Sequence, residues 1–292
     1  MLWLYLALIA YLINAVVFVI DKHLLSGHIP KHNAYAFGAA ILSIFVVVLI
    51  PFGVHWYGWG YFLISILSGA SFFIGLTFLY KCIIDSDVSV AATQTGTMAA
   101  IFTYILSIVI LKDVFAPATL SALIFLVAGT FLLGRLEKHT IVKSILSGVF
   151  FGLSYVLLKL SFNYSDFING LFWTRMGFVG SAIAVLLLPS VRSDVKFVFK
   201  KAPSKSKFIF IFNKALAGLS SVILYFAIRI GNVSIVNALL GLQFMFIFLL
   251  AVIFKEKISG IKEKLDRKAL FHKLSGIALV ITGLALLFLN QK

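Results

Sequence analysis

Apolar residues run in ten stretches of about twenty, near 2–20, 34–52, 59–80, 88–111, 116–134, 143–161, 167–188, 207–229, 233–254 and 270–289, with short polar connections between them. Runs of that length match the hydrocarbon thickness of a bilayer when wound as helices. Lipid offers no partner to a backbone N–H or C=O, so only helices and closed barrels cross it. Barrel strands would show short alternating segments instead. The pattern therefore predicts an all-α, polytopic membrane protein with ten transmembrane helices, and it leaves no stretch large enough for a separate soluble domain. The first stretch lacks the basic start and small-residue cleavage site of a secretory signal and reads as a retained helix.

The second five stretches repeat the order of residues in the first five. Leu79-Tyr80 and Val88-Ser89 followed by Gly96 match Leu224-Tyr225 and Val233-Ser234 followed by Gly241; Lys112-Asp113 matches Lys255-Glu256; Leu120-Ser121 followed by Gly129 matches Leu274-Ser275 followed by Gly283. Lys22 and Lys159 close the first helix of each set, and Pro51 and Pro189 end the second. This organises the chain as two five-helix units, 1–138 and 143–292. An odd number of helices per unit makes the second copy enter the membrane in the opposite sense, the inverted arrangement that lets two halves exchange conformations around a midplane site.

Ten spans in two units, the stretch Phe151-Gly152-Leu153-Ser154-Tyr155 leading to Lys159, Arg175 inside the seventh span and an acidic residue closing the fourth and ninth resemble the EamA-like family of the drug/metabolite transporter superfamily. The resemblance covers essentially the whole chain. It implies a carrier, often an exporter, of amino acids, nucleosides, sugars or other small metabolites, with a cavity between the halves and residence in the cell membrane. Two features depart from the family pattern. Thr97-Met98 and Gln243-Phe244 stand where the family often has proline, and the usual Gly-Glu ending is replaced by Lys112-Asp113 and Lys255-Glu256.

Composition agrees with the membrane reading: 62% of residues are hydrophobic and only 12% charged. The net charge of +15 sits mainly in connections, where it sets topology and meets anionic headgroups and is not a nucleic-acid surface. The basic segment Val191–Lys207 has Phe197, Val198 and Phe199 between its lysines, and Lys255–Lys273 has Ile258, Ile261 and Leu265 at helical spacing among its own, so both look like interfacial amphipathic segments. Counting connections puts both termini outside, whereas members of the resembled family commonly keep both in the cytoplasm.

Chemistry inside the spans narrows the candidates. Arg175 has to face the bundle interior, because an arginine at mid-membrane costs at least roughly 2.5–3.5 kcal/mol; there it either grips an anion or pairs with backbone. Trp173 borders its face. Lys214 and Asn213, two turns into the eighth span, read as snorkelling toward headgroups. Lys22 and Lys159 either reach the cavity or mark an interface, with Asp21 placed to neutralise Lys22. Asn14, Gln94, Tyr155, Asn237 and Gln243 complete the candidate cavity set, each also able to serve as interhelical glue.

No acidic residue lies at the centre of a span in this reading, which argues against exchange of protons for organic cations. Cys82 is the only cysteine, so neither an intrachain disulfide nor a thiolate metal cage is available. No phosphate-binding loop, zinc-hydrolase or serine-hydrolase motif is present. The sequence thus predicts no enzyme, cofactor or metal, but a secondary carrier of a small polar metabolite bearing a carboxylate or phosphate. A homodimer stays open, and the alternative is a flippase or scaffold for lipid or lipid-linked headgroups.

Overall fold

Residues 2–86, 88–133, 139–254 and 267–289 are described by the computed structural model, and among them there are helices and no strands. The acidic end of the ninth span at Glu256 and the apolar positions Ile258, Ile261 and Leu265 of the second basic segment lie outside the described residues. Seven helices are long and apolar enough to cross a membrane: Leu2–Gly27, His32–Phe52, Trp59–Asp85, Val88–Leu111, Ile141–Tyr164, Ser204–Ile230 and Val233–Leu250. Phe167–Val185 and Pro189–Lys201, bent by 99° to each other, make an eighth when taken as one. The remaining two apolar stretches fall in shorter apolar helices, Thr119–Leu132 and Phe271–Leu286. The chain is a multi-pass helical membrane protein.

The elements are α1 (Leu2–His23), continued by a π turn at Leu24–His28; α2 (His32–Ile41), continued as a 3₁₀ helix, Leu42–Phe52; α3 (Trp59–Asp85); α4 (Val88–Leu106), continued by a π turn at Ser107–Leu111; α5 (Pro117–Leu133); and α6 (Ile141–Tyr164). Then follow α7 (Phe167–Val185), α8 (Pro189–Lys201), α9 (Ser204–Ile230), α10 (Val233–Ala238), α11 (Leu240–Phe254) and α12 (Arg267–Leu289). The first span runs past its expected end at residue 20, because α1 passes straight into the π turn. Asp21 and Lys22 are thereby carried inside the bundle, 3% and 7% exposed. A hydropathy window stops at the first charged pair; the backbone does not.

In the basic segment after the seventh span, α8 begins with Pro189 at its first turn, where the missing N–H costs nothing. It holds Val191 buried, exposes Phe197 and Phe199, and is tied to the start of α2 by Lys31–Asp194 at 3.2 Å.

Packing pairs α3 with α6 and α7, α4 with α6, α1 with α9 and α11, and α5 with α12. Lipid tails are as apolar as leucine, so helices associate through close contact of small residues rather than through hydrophobic burial. The α3–α7 seam illustrates it: a Cβ on Gly69 would overlap the backbone of Thr174 and Phe178, and one on Gly177 the backbone of Ile66. Gly69→Val is therefore expected to cost about 1–3 kcal/mol by overpacking, read as a lowered midpoint of thermal unfolding in detergent. Gly180→Ala, whose Cβ would meet nothing within 4 Å, is the control, expected to leave stability unchanged or raise it by up to about 1 kcal/mol through helix propensity.

The start of α7 fixes its register. Asp166 is the N-cap, accepting from the Asn169 backbone N–H at 2.9 Å, and the buried Asn169 side chain donates to Gly53 O at 3.0 Å and accepts from His55 N–H at 2.7 Å. Partial burial pushes the Asp166 carboxyl up, but hydrogen bonds from the Asn169 backbone and side chain, the Tyr57 hydroxyl and the Ile168 N–H outweigh it and hold the group below the usual aspartate range. A carboxyl depressed in the folded state stabilises it above the ordinary aspartate pKa of about 3.9, and that stabilisation fades as pH falls through the lower folded value. Asp166→Ala should cost about 1 kcal/mol near neutral pH, and the gap between mutant and wild-type melting curves should close in acid.

Candidate functional site

A cavity of about 650 Å³ lies between the helices, within the range that encloses a small molecule. Its polar wall is made by Tyr11, Asn14 and Asp21 of α1, Tyr80 of α3, Thr95 of α4, Tyr155 of α6, Arg175 of α7, Lys214 and Tyr225 of α9 and Gln243 of α11. The rest is apolar apart from Ser43 and Ser221, with Phe72, Leu76, Phe151, Leu171 and Phe178 prominent. The Phe244 ring reaches the wall because Gly96 leaves it room, a Cβ there overlapping the ring.

Arg175 is 8% exposed and its Nη2 has no hydrogen-bond partner. Its guanidinium stands 4.8 Å from the Tyr225 ring centroid, 5.8 Å from that of Phe72 and 5.9 Å from that of Phe178. Three aromatic faces offset part of the cost of holding the cation away from water, about 0.5–2 kcal/mol per good contact. They do nothing for its N–H donors. A planar fork with an unused donor on a cavity wall suits a carboxylate or phosphate, which it can bind bidentately.

A second charged group faces the same cavity from α1 and α9. Asp21 Oδ1 accepts from Lys214 Nζ, Asn213 Nδ2 and the Tyr35 hydroxyl, each at 2.6 Å. Lys214 Nζ also donates to the Tyr80 hydroxyl at 3.0 Å and lies 4.7 Å from the Tyr35 ring centroid. Two expectations are corrected here. Lys214 does not snorkel toward headgroups but is buried in an ion pair, and Asp21 neutralises Lys214 rather than its neighbour Lys22. Successive residues on a helix point about 100° apart, so Asp21 turns toward α9 while Lys22 turns toward α3.

Lys22 Nζ donates to the carbonyls of Ile83 and Ser86, both at 2.7 Å, at the C-terminal end of α3. Lys159 Nζ donates to the carbonyls of Ile228, Arg229 and Gly231 at 2.9, 2.8 and 2.7 Å, at the C-terminal end of α9. Both lysines meet helix ends that carry free carbonyls and partial negative charge, and neither lines the cavity.

Of the other candidates, Asn14, Tyr155 and Gln243 are on the wall, and Gln243 Oε1 has no hydrogen-bond partner. Gln94 accepts instead from the Thr140 and Ser144 hydroxyls at 2.8 and 3.2 Å, joining α4 to the start of α6. Asn237 reaches Thr103 Oγ1 at 3.4 Å, between α10 and α4. Trp173 donates to His55 O at 3.1 Å and packs against Trp56, Phe62 and Phe172, away from the cavity. Its cluster of rings is what a membrane–water interface favours.

Tyr11, Tyr80 and Tyr225 are wall residues that sequence reasoning did not select. Tyr11 donates to Val236 O at 2.7 Å, where the ninth apolar stretch breaks between α10 and α11. A tyrosine within an apolar run was the available signal, and the chain has too many aromatic residues for it to stand out. Among the described residues no three His, Cys, Asp or Glu side chains gather where they could hold a metal ion.

No family model and no curated protein matches this chain. A solved structure described only as "Crystal structure of protein" matches it with a TM-score of 0.62 over 96% of this chain and 96% of that one, at 14% sequence identity. That likeness is one of fold.

Proposed function

We propose that the chain is a secondary carrier that moves a small organic anion across the cell membrane by alternating access, in the manner its resemblance to EamA-like drug/metabolite transporters implies. The observation that carries this reading is the Arg175 guanidinium, buried on the wall of a small-molecule-sized cavity with a donor unused. A buried polar group with no partner costs on the order of 1–3 kcal/mol, more when charged. A site that accepts this cost empty is suited to a ligand that removes it.

In this reading α5 and α12 join the longer helices to make ten spans, in two inverted units over 1–138 and 143–292. Several contacts support that arrangement by exchanging when the units are exchanged. The first helix of each unit packs on the third of the other, α6 on α3 and α1 on α9, and also on the fourth, α6 on α4 and α1 on α11. The fifth helices, α5 and α12, pack on each other. Lys22 closes the third helix of its own unit and Lys159 the third of its own. One pair of equivalent seams differs: α3 and α7 are in backbone contact at Gly69 and Gly177, while α9 barely touches the 3₁₀ stretch Leu42–Phe52. A closed seam opposite an open one is the asymmetry expected of a carrier resting in one of two states.

The test is counterflow in proteoliposomes with a panel of labelled carboxylates and phosphate esters. Saturable exchange of at least one anion, lost in Arg175→Gln, is the expected result. Undiminished exchange in Arg175→Gln would overturn the assignment of the site, and no exchange of any anion would overturn the carrier reading.

A further inference from the structure

The open seam faces the bilayer. None of the residues Leu42–Phe52 is buried, and on the two sides of the gap Phe45, Val48, Ile211 and Leu219, all cavity-lining, are 72%, 66%, 53% and 54% exposed. Large apolar side chains on helices of this length are covered by lipid tails. A gap whose rim they form gives onto hydrocarbon along its length. Behind the rim the wall is mainly apolar, through Phe72, Leu76 and Phe151, with Ser43 and Ser221 the two hydroxyls at the seam, before Arg175 is reached. The segment carrying one rim is eleven residues of 3₁₀ helix, far longer than the three or four residues usual for that form, which marks hinges in other helices.

Resting on the carrier reading above, we infer that the ligand is an amphiphilic anion, a carboxylate or phosphate head on an apolar tail, taken from the bilayer through the seam between Leu42–Phe52 and α9. Its head binds Arg175 and its tail lies along the apolar wall and out through the rim. The chemistry of the path favours it: a fully polar metabolite gains nothing from the aliphatic and aromatic side chains that make up most of the seam, where Ser43 and Ser221 alone could replace its hydration shell. An amphiphile exchanges one apolar surrounding for another and loses water only at its head, where the unpaired guanidinium replaces it. The polar wall at Asp21 and Lys214 is already self-neutralised, so a single net positive charge awaits a single head.

The test is equilibrium and stopped-flow binding of labelled butyrate, octanoate and palmitate to the full chain in phosphatidylcholine nanodiscs. Affinity is expected to climb with chain length, by about fourfold for each methylene newly buried, so that octanoate, with four more methylenes, binds roughly 250-fold more tightly than butyrate. Arg175→Gln should weaken palmitate at least tenfold. Gly218→Phe fills the gap from α9, at a position where an added Cβ meets nothing within 4 Å; it should slow palmitate association several-fold and leave butyrate association unchanged. Leu219→Phe, on the same rim, repeats that test should Gly218→Phe fail to fold.

Arg175-dependent binding that ignores chain length would overturn the amphiphile and leave an anion carrier standing. Gap-filling variants that slow both probes alike, or neither, would overturn the lipid-side route. Binding of all three probes unaffected by Arg175→Gln would overturn both this inference and the site it rests on.

Discussion

Arg175→Met is expected to abolish anion binding and leave the protein as stable as before, or more so. Each hydrogen bond from a charged donor is worth about 1.5–3 kcal/mol, so losing a two-pronged grip weakens binding by at least about a hundredfold. On the stability side the sign reverses. Arg175 is 8% exposed and has no counter-ion among the described residues. A cation at mid-membrane costs roughly 2.5–3.5 kcal/mol, and the ring contacts of Tyr225, Phe72 and Phe178 return only part of that. Methionine keeps the bulk and drops the charge. Thermal unfolding in detergent, with and without a bound anion, separates the two effects: wild type rises with ligand by mass action, and the mutant starts as high or higher and does not move. A mutant several kcal/mol less stable than wild type would mean that the arginine holds helices together.

Asp21→Ala is expected to be the most destabilising single change in the cavity wall, by about 3–5 kcal/mol, the cost of leaving one member of a buried ion pair alone. Lys214 would lose its counter-ion, and Tyr35 and Asn213 the acceptor they share. The double change Asp21→Leu with Lys214→Met should recover at least half the loss, since apolar side chains of similar volume often replace a buried pair at little cost. Guanidinium or thermal unfolding of wild type, Asp21→Leu, Lys214→Met and the double variant makes a complete cycle. A loss below about 1 kcal/mol for Asp21→Ala would place the pair in water rather than in the bundle.

Local pattern made part of this legible. Runs of about twenty apolar residues announce helices whatever their neighbours, and a lone arginine within one announces an inward face, so the helical membrane class and Arg175 could be read from sequence. What the runs do not encode is rotation. Gln94 and Gln243 sit in related stretches, yet Gln94 turns into the α4–α6 contact and Gln243 lines the cavity, because the partner helix decides which face is enclosed. Lys22 and Lys159 could be matched by position but not by role, since the carbonyls they meet belong to helices 61 and 69 residues further along. The Asp21–Lys214 pair was invisible for the same reason, with the added obstacle that α1 outruns its apolar stretch.

That pair also sets an order of events during synthesis. Its members are 193 residues apart in the chain. At roughly 5–20 residues per second, the ribosome delivers Lys214 about 10–40 s after Asp21. Until then the Tyr35 hydroxyl is the one partner of Asp21 Oδ1 already made, and the carboxylate lacks its ammonium. Nascent α1 is therefore expected to lack its ion pair until α9 arrives, a pairing that the amino-terminal half by itself cannot make.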